Sequence, residues 1–151
     1  MPQSLANLLV HLVFSTSNRE PFLRDPALRR ALHAYLGGVI KKHGGAPIIA
    51  GGVDDHVHLL YKQPKTMTVP DMVRELKRGS SLWIKTRQPS LRNFAWQGGY
   101  GAFSVGQTEI DIVRGYIEKQ EEHHKTRTFE DEYLIFLHKY GIEYDERFLW
   151  E

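Results

Sequence analysis

Two histidines separated by one apolar residue, His56-Val57-His58, are the part of this chain whose types and spacing best suit chemistry. They lie within Ile48-Ile49-Ala50-Gly51-Gly52-Val53-Asp54-Asp55-His56-Val57-His58-Leu59-Leu60-Tyr61. Two short apolar runs joined by a Gly/Asp turn predict a β-hairpin. Residues i and i+2 of a strand share a face, so both imidazoles project side by side and can share one divalent cation. Val57 then faces the opposite way, and Leu59 and Leu60 embed the strand, which makes the pair rigid. Two ligands alone bind weakly, and the chain has neither a His-Glu-x-x-His helix nor a third histidine at position 60.

A third ligand must come from elsewhere. Gln120 offers a carbonyl oxygen, and it follows Tyr116 by four residues. On a helical wheel Gln120 lies about 40° from Tyr116 and His123 about 20° on the other side, so the three share a face. Imidazole with amide oxygen leaves coordination positions open for phosphate and water, which suits Mg2+ or Mn2+. A phenol is a poor nucleophile at neutral pH, with a pKa near 10, and needs a base or a cation beside it. The constellation is that of a metal-assisted tyrosine nucleophile. Taken singly, each part has a plainer reading: Tyr116 as a core aromatic, Gln120 as a solvated helix residue. Asp54 and Asp55 are turn residues first and partners for the imidazoles second.

The elements that must position these groups can be read in order. Leu8–Ser15 is a strand-forming run. Asp25-Pro26 opens a helix to about Lys42, with Leu28, Leu32, Tyr35, Leu36 and Val39 on one face. Hairpin strands follow at 46–53 and 56–62. A second helix spans about Val69 to Arg87, with Val69, Met72, Leu76 and Trp83 on its apolar face. Tyr100–Val105 reads as a fourth strand. A third helix is predicted from Thr108, capped by Thr108-x-x-Asp111, to about His124. A fourth spans Phe129–Tyr140 and ends at Gly141. The order β-α-β-β-α-β followed by helices predicts an α+β fold of ferredoxin-like or RRM-like type. That is one antiparallel sheet with helices on one face and a C-terminal helical extension, forming a single domain over 1–151.

Composition narrows the function classes. With no cysteine, disulfide scaffolds, zinc-thiolate sites and cysteine nucleophiles are excluded. No apolar run reaches the ~18 residues of a membrane span. The N-terminal Met1-Pro2-Gln3-Ser4 lacks the basic and apolar regions of a signal peptide, so a cytoplasmic protein without membrane attachment is expected. The net charge of +2 conceals an asymmetry: residues 1–108 carry +8 and residues 109–151 carry −6. The first part can attract a polyanion. Arg74, Lys77, Arg78 and Lys85 fall on one face of the second helix and could follow a phosphate backbone. Trp96, Tyr100 and Phe103 could stack on unpaired bases or be core.

The ordered set of motifs resembles the single-tyrosine HUH transposases of small bacterial insertion sequences, including the branch linked to repetitive extragenic palindromes. It comprises His56-Val57-His58, Tyr116 with Gln120, Trp96-Gln97-Gly98-Gly99-Tyr100-Gly101-Ala102-Phe103-Ser104-Val105, and Phe129-x-x-Glu132-Tyr133. The resemblance covers essentially the whole chain. It implies single-stranded DNA cleavage and rejoining at hairpin-marked element ends, with Tyr116 forming a 5′-phosphotyrosine and releasing a 3′-OH. It also implies a homodimer, in some states with the His pair and the tyrosine contributed by different subunits. The acidic stretch from residue 109 is unlike a DNA clamp. The alternative from another class is a non-catalytic, domesticated module that binds single strands through an RRM-like sheet. A replication-initiator or relaxase-type nuclease is a third reading, for which this chain has no room for the accompanying domains.

Overall fold

Both central strands are buried along nearly their whole length, which dictates a sheet covered on both faces. The computed structural model describes residues 2–151. Strands β1 (Leu9–Ser15), β2 (Ala46–Gly52), β3 (His56–Lys62) and β4 (Gly101–Val105) form one sheet in the order β2-β3-β1-β4, every neighbouring pair antiparallel. This is the ferredoxin-like arrangement expected from the element order. The described elements contain no helix long and apolar enough to cross a membrane.

Helices α1 (Pro26–Lys42) and α2 (Val69–Arg87) cover one face. Alternate strand residues Leu12, Phe14, Val57, Leu59 and Tyr61 pack there against Leu28, Leu32, Leu36, Ile40, Met72, Leu76 and Ile84. Local chemistry sets these helix ends. The Asp25 carboxylate accepts from the Ala27 amide at 2.9 Å, with Pro26 beginning the helix. Thr68 accepts from the Asp71 amide at 3.2 Å to open α2.

The C-terminal extension covers the other face. It consists of α3 (Ile110–Glu118), the single turn α4 (Gln120–His123) and α5 (Phe129–Lys139). Val13 and Phe103 of the sheet meet Phe129, Tyr133 and Leu137 of α5 in a second core. Thr128 and Asp131 form a reciprocal capping box at the start of α5. Gly141, at φ 63°, follows its end.

Two boundaries differ from the sequence reading. The expected Thr108 cap does not form: Gln107–Glu109 make a 3-10 turn, and α3 starts after Glu109 with no side-chain cap. The chain leaves β4 through Gly106 and closes with Glu109 N–H on the Gly106 carbonyl at 2.9 Å, which delays the helix. The long helix to about His124 is also interrupted at Lys119 (φ −99°, ψ 21°). There the Lys119 amide closes tightly on Tyr116 O at 3.3 Å. The Gln120 side chain just beyond the break is buried.

The end of α3 reaches the sheet through a glycine. A Cβ on Gly51 of β2 would stand 2.7 Å from both the Ile117 carbonyl oxygen and its Cγ2. Only a residue without a side chain lets the Tyr116–Gln120 segment lie this close. Gly51→Ala is expected to cost about 1–3 kcal/mol by overpacking. Urea denaturation checks this; an unchanged midpoint would mean that α3 is free to shift.

Candidate metal and tyrosine site

The second face of the sheet is polar where β1 and β3 adjoin. His56 lies opposite Ser15 and His58 opposite Val13 in the β1–β3 register. Both imidazoles are fully buried, with ring centroids 5.2 Å apart. The turn residue Asp55 holds His56 Nδ1 at 2.6 Å, which aims Nε2 into the interior under α3–α5. Asp54 is used differently: its backbone carbonyl accepts from Leu23 N–H at 2.9 Å.

Tyr116 and Gln120 arrive from above, as their spacing anticipates, despite the break at Lys119. The Gln120 carbonyl oxygen lies 3.1 Å from His56 Nε2, and its amide donates to Glu132 Oε2 at 3.1 Å. The Tyr116 hydroxyl donates to the same Glu132 Oε2. His123 stacks on the Tyr116 ring at 4.6 Å. All of the predicted metal and nucleophile residues, His56, His58, Gln120 and Tyr116, therefore meet within one chain.

Two residues complete the cluster that sequence reasoning did not assign to it. Glu132 of α5, 1% exposed, places Oε1 at 2.8 Å from His58 Nε2 and 3.3 Å from His56 Nε2. His124 places Nε2 at 3.2 Å from Glu132 Oε2. The signal for Glu132 lies in α5 itself. Phe129, Glu132, Tyr133 and Leu137 share its buried face, so a carboxylate stands within an apolar stripe. His124 stands in Glu121-Glu122-His123-His124, a run whose composition suits adventitious metal binding, but nothing in that run points to Glu132.

The donor set fits a divalent cation. The ligand atoms of His56, His58, His124 and Glu132 all lie within 4.8 Å of one another. Ligands ~2.1 Å from a shared ion in tetrahedral geometry stand about 3.4 Å apart, close to the separations seen here. Three imidazoles and a carboxylate favour manganese, zinc or another transition ion over magnesium, which prefers an all-oxygen shell.

Electrostatics tie the groups together. Burial opposes charge on His56, but hydrogen bonds to Asp55 and Glu132 outweigh it and raise its pKa to about 9. Burial lowers His58. Burial would raise Glu132, but hydrogen bonds from His124, His56 and His58 hold it well below the usual carboxylate range. Burial, followed by the Glu132 charge, pushes the Tyr116 phenol well above its ordinary value. The hydroxyl is thus protonated in this arrangement.

The expected DNA-contact residues lie elsewhere. Helix α2 packs on the sheet face opposite the histidines. Arg74 and Arg78 are exposed, Lys85 is partly exposed, and Arg74 pairs with Asp71 at 2.9 Å. Lys77 is committed to the fold: its ammonium donates to the carbonyls of Gln97 and Gly99 at 2.8 and 2.7 Å. Trp96 and Tyr100 pack at the margin of the first core and Phe103 lies in the second, so these aromatics form no open stacking platform.

The His56 shift sets a pH dependence. The folded protein holds the His56 proton up to about 9, whereas an unperturbed histidine releases it near 6.5. This contribution to stability is present below 6.5 and is lost as pH rises through the folded value. In chelator, the melting temperature is expected to fall between about pH 6.5 and 8. Metal must displace that proton, so Mn2+ affinity should rise over the same interval. A flat melting profile would show that His56 is not held as a cation.

Comparison with known proteins bears on the family and the fold. Residues 4–120 match the family described as IS200-like transposases. No curated protein matches the chain. Among solved structures, a candidate transposase from Deinococcus radiodurans R1 is 24% identical, with a TM-score of 0.65 over 80% of this chain and 95% of that one. A REP-associated tyrosine transposase bound to a REP hairpin is 15% identical, with a TM-score of 0.59 over 82% of this chain and 72% of that one. At these identities the two structures speak for the fold. The family match spans the hairpin histidines, the tyrosine and the amide, and the chain belongs to the IS200-like transposase family.

Proposed function

We propose that this chain is a metal-dependent single-stranded DNA endonuclease and strand transferase that works through a covalent 5′-phosphotyrosine on Tyr116. The observation that carries the reading is the Tyr116 hydroxyl hydrogen-bonded into the buried His56/His58/His124/Glu132 cluster. Hairpin-marked element ends are the proposed substrate. The solved relative bound to a REP hairpin supports that class of ligand.

The reaction is a transesterification. The Tyr116 oxygen attacks phosphorus, the bond to the 3′ oxygen breaks, and the leaving oxygen takes up a proton. The ester energy stays in the phosphotyrosine, so rejoining by a 3′-OH needs no nucleotide cofactor. His56, His58, His124 and Glu132 would hold a divalent cation, Mn2+ in preference to Mg2+, with the Gln120 carbonyl oxygen beside them; when bound it would supply positive charge that offsets Glu132 and polarises the scissile phosphate. The chain's own residues do the positioning. Asp55 aims His56, Gln120 bridges His56 to Glu132, and His123 stacks on the nucleophile's ring. The Tyr116 hydroxyl donates to Glu132 Oε2, which holds the phenol oxygen in place, although Glu132 is too weak a base to keep its proton. A lone pair of the phenol oxygen stays available to phosphorus while that bond is made.

Arg74, Arg78 and Lys85 are the proposed phosphate contacts, and Lys77 supports them by fixing the 97–99 loop. A strand engaging both these residues and Tyr116 must pass around an edge of the sheet, because they lie on opposite faces. The homodimer is likewise proposed.

Incubation with single-stranded oligonucleotides from the ends of the protein's own genomic element, with Mn2+, should give a covalent protein–DNA band on a denaturing gel. Tyr116→Phe should abolish the band and keep binding; His56→Ala with His58→Ala should abolish metal-dependent cleavage. Tight binding without any band would favour a non-catalytic, domesticated binding module. Replacing Arg74 and Arg78 with alanine should reduce the slope of log affinity against log salt by about 0.7 per lost phosphate contact; an unchanged slope would remove α2 from the interface. Mixing inactive Tyr116→Phe with inactive His56→Ala protein should not restore cleavage, since Tyr116 meets the histidines of its own chain. Restoration would mean that subunits exchange their tyrosine helices.

A further inference from the structure

We infer that His11 is a positioning residue whose hydrogen bond to His58 selects the tautomer in which His58 can take a metal ion. The inference rests on the reading of His58 Nε2 as a ligand. His11 lies on β1 beside β3, is 2% exposed, and stands outside the four-residue cluster. Its Nε2 is 2.8 Å from His58 Nδ1. Phe136 and Phe103 wall the ring with edge-on contacts at centroid distances of 5.2 and 6.2 Å. Tyr116 closes a further side at 6.5 Å.

A neutral imidazole has one N–H and one lone pair. Both His58 nitrogens are engaged, Nε2 with Glu132 Oε1 and Nδ1 with His11 Nε2. An ionised carboxylate only accepts, so without metal His58 carries its hydrogen on Nε2, and Nδ1 must accept from His11 Nε2–H. A cation on His58 Nε2 reverses the requirement. The hydrogen must then sit on Nδ1, and His11 Nε2 must accept it. Each ring moves its hydrogen from Nε2 to Nδ1, and neither changes charge.

A side chain that only donates or only accepts cannot serve both states. A hydrocarbon does neither, lysine and arginine only donate, and aspartate only accepts. Histidine does both by changing tautomer, and glutamine can do both by rotating its amide. The identity of residue 11 is thereby coupled to metal occupancy one strand away.

The test uses 15N-histidine-labelled protein titrated with Zn2+, a diamagnetic probe, with long-range proton–nitrogen correlations reporting each tautomer. In chelator His58 and His11 should both show Nε2–H. On loading, both should change to Nδ1–H at the same Zn2+ stoichiometry. His11→Phe should weaken Zn2+ binding about 10- to 100-fold, and His11→Gln should recover most of it, with melting curves confirming that both variants fold. If His58 changes and His11 does not, or if His11→Phe binds Zn2+ like the parent protein, the inference is overturned. If Zn2+ leaves His58 unmoved, the metal-site reading fails and this inference fails with it.

Discussion

An ionised carboxylate in a protein interior is tolerable only when surrounding donors replace the water it has lost. Glu132 is such a group, and much of the second layer is arranged around that requirement. Its two oxygens are met by His56 and His58 from β3, Tyr116 from α3, Gln120 from α4 and His124 from the following loop. Strand β3 is fixed by the sheet and the first core, whereas α3, α4 and the loop after it are short. The shared acceptor gives them a common point.

Whether a feature was legible in the sequence depended on how local its cause was. The hairpin, the pairing of His56 with His58 on one face, and the Asp25-Pro26 helix start are consequences of neighbouring residues. The Tyr116–Gln120 spacing survived even the helix break, since a tight turn keeps four-apart residues on one side. Glu132 and His124 join the site through contacts that span elements, and the neighbours of His124, Glu121, Glu122 and His123, do not reveal its link to Glu132. Glu132 did leave a trace, a charge on a buried helix face. The expected Thr108 cap failed for the converse reason: the motif was present, but the exit from β4 at Gly106 placed a 3-10 turn over it.

The uneven charge along the chain also has a structural explanation. Part of the basic excess before residue 109 is spent on the acidic segment after it. Arg19 pairs with Glu130 at 2.8 Å and Arg29 with Glu121 at 3.0 Å, fastening the C-terminal layer to the rest. Partly exposed pairs of this kind contribute little stability individually. Their effect is on what remains free: the exposed basic groups of α2 stand on the far side of the sheet, away from this acidic layer. The acidic segment is therefore a lid on the second face of the sheet rather than a surface competing with α2 for a polyanion.

The distance along the chain between His58 and Glu132, 74 residues, has a temporal meaning. Chains emerge from the ribosome N-terminus first at about 5–20 residues per second. The hairpin bearing both histidines is exposed several seconds before the helix that supplies the carboxylate. Through that interval the sheet's second face is bare, with imidazoles open to any ion in the surrounding fluid. Two imidazoles alone would hold a cation only weakly, so the full donor set exists only once the C-terminal layer closes and brings His124 and Glu132.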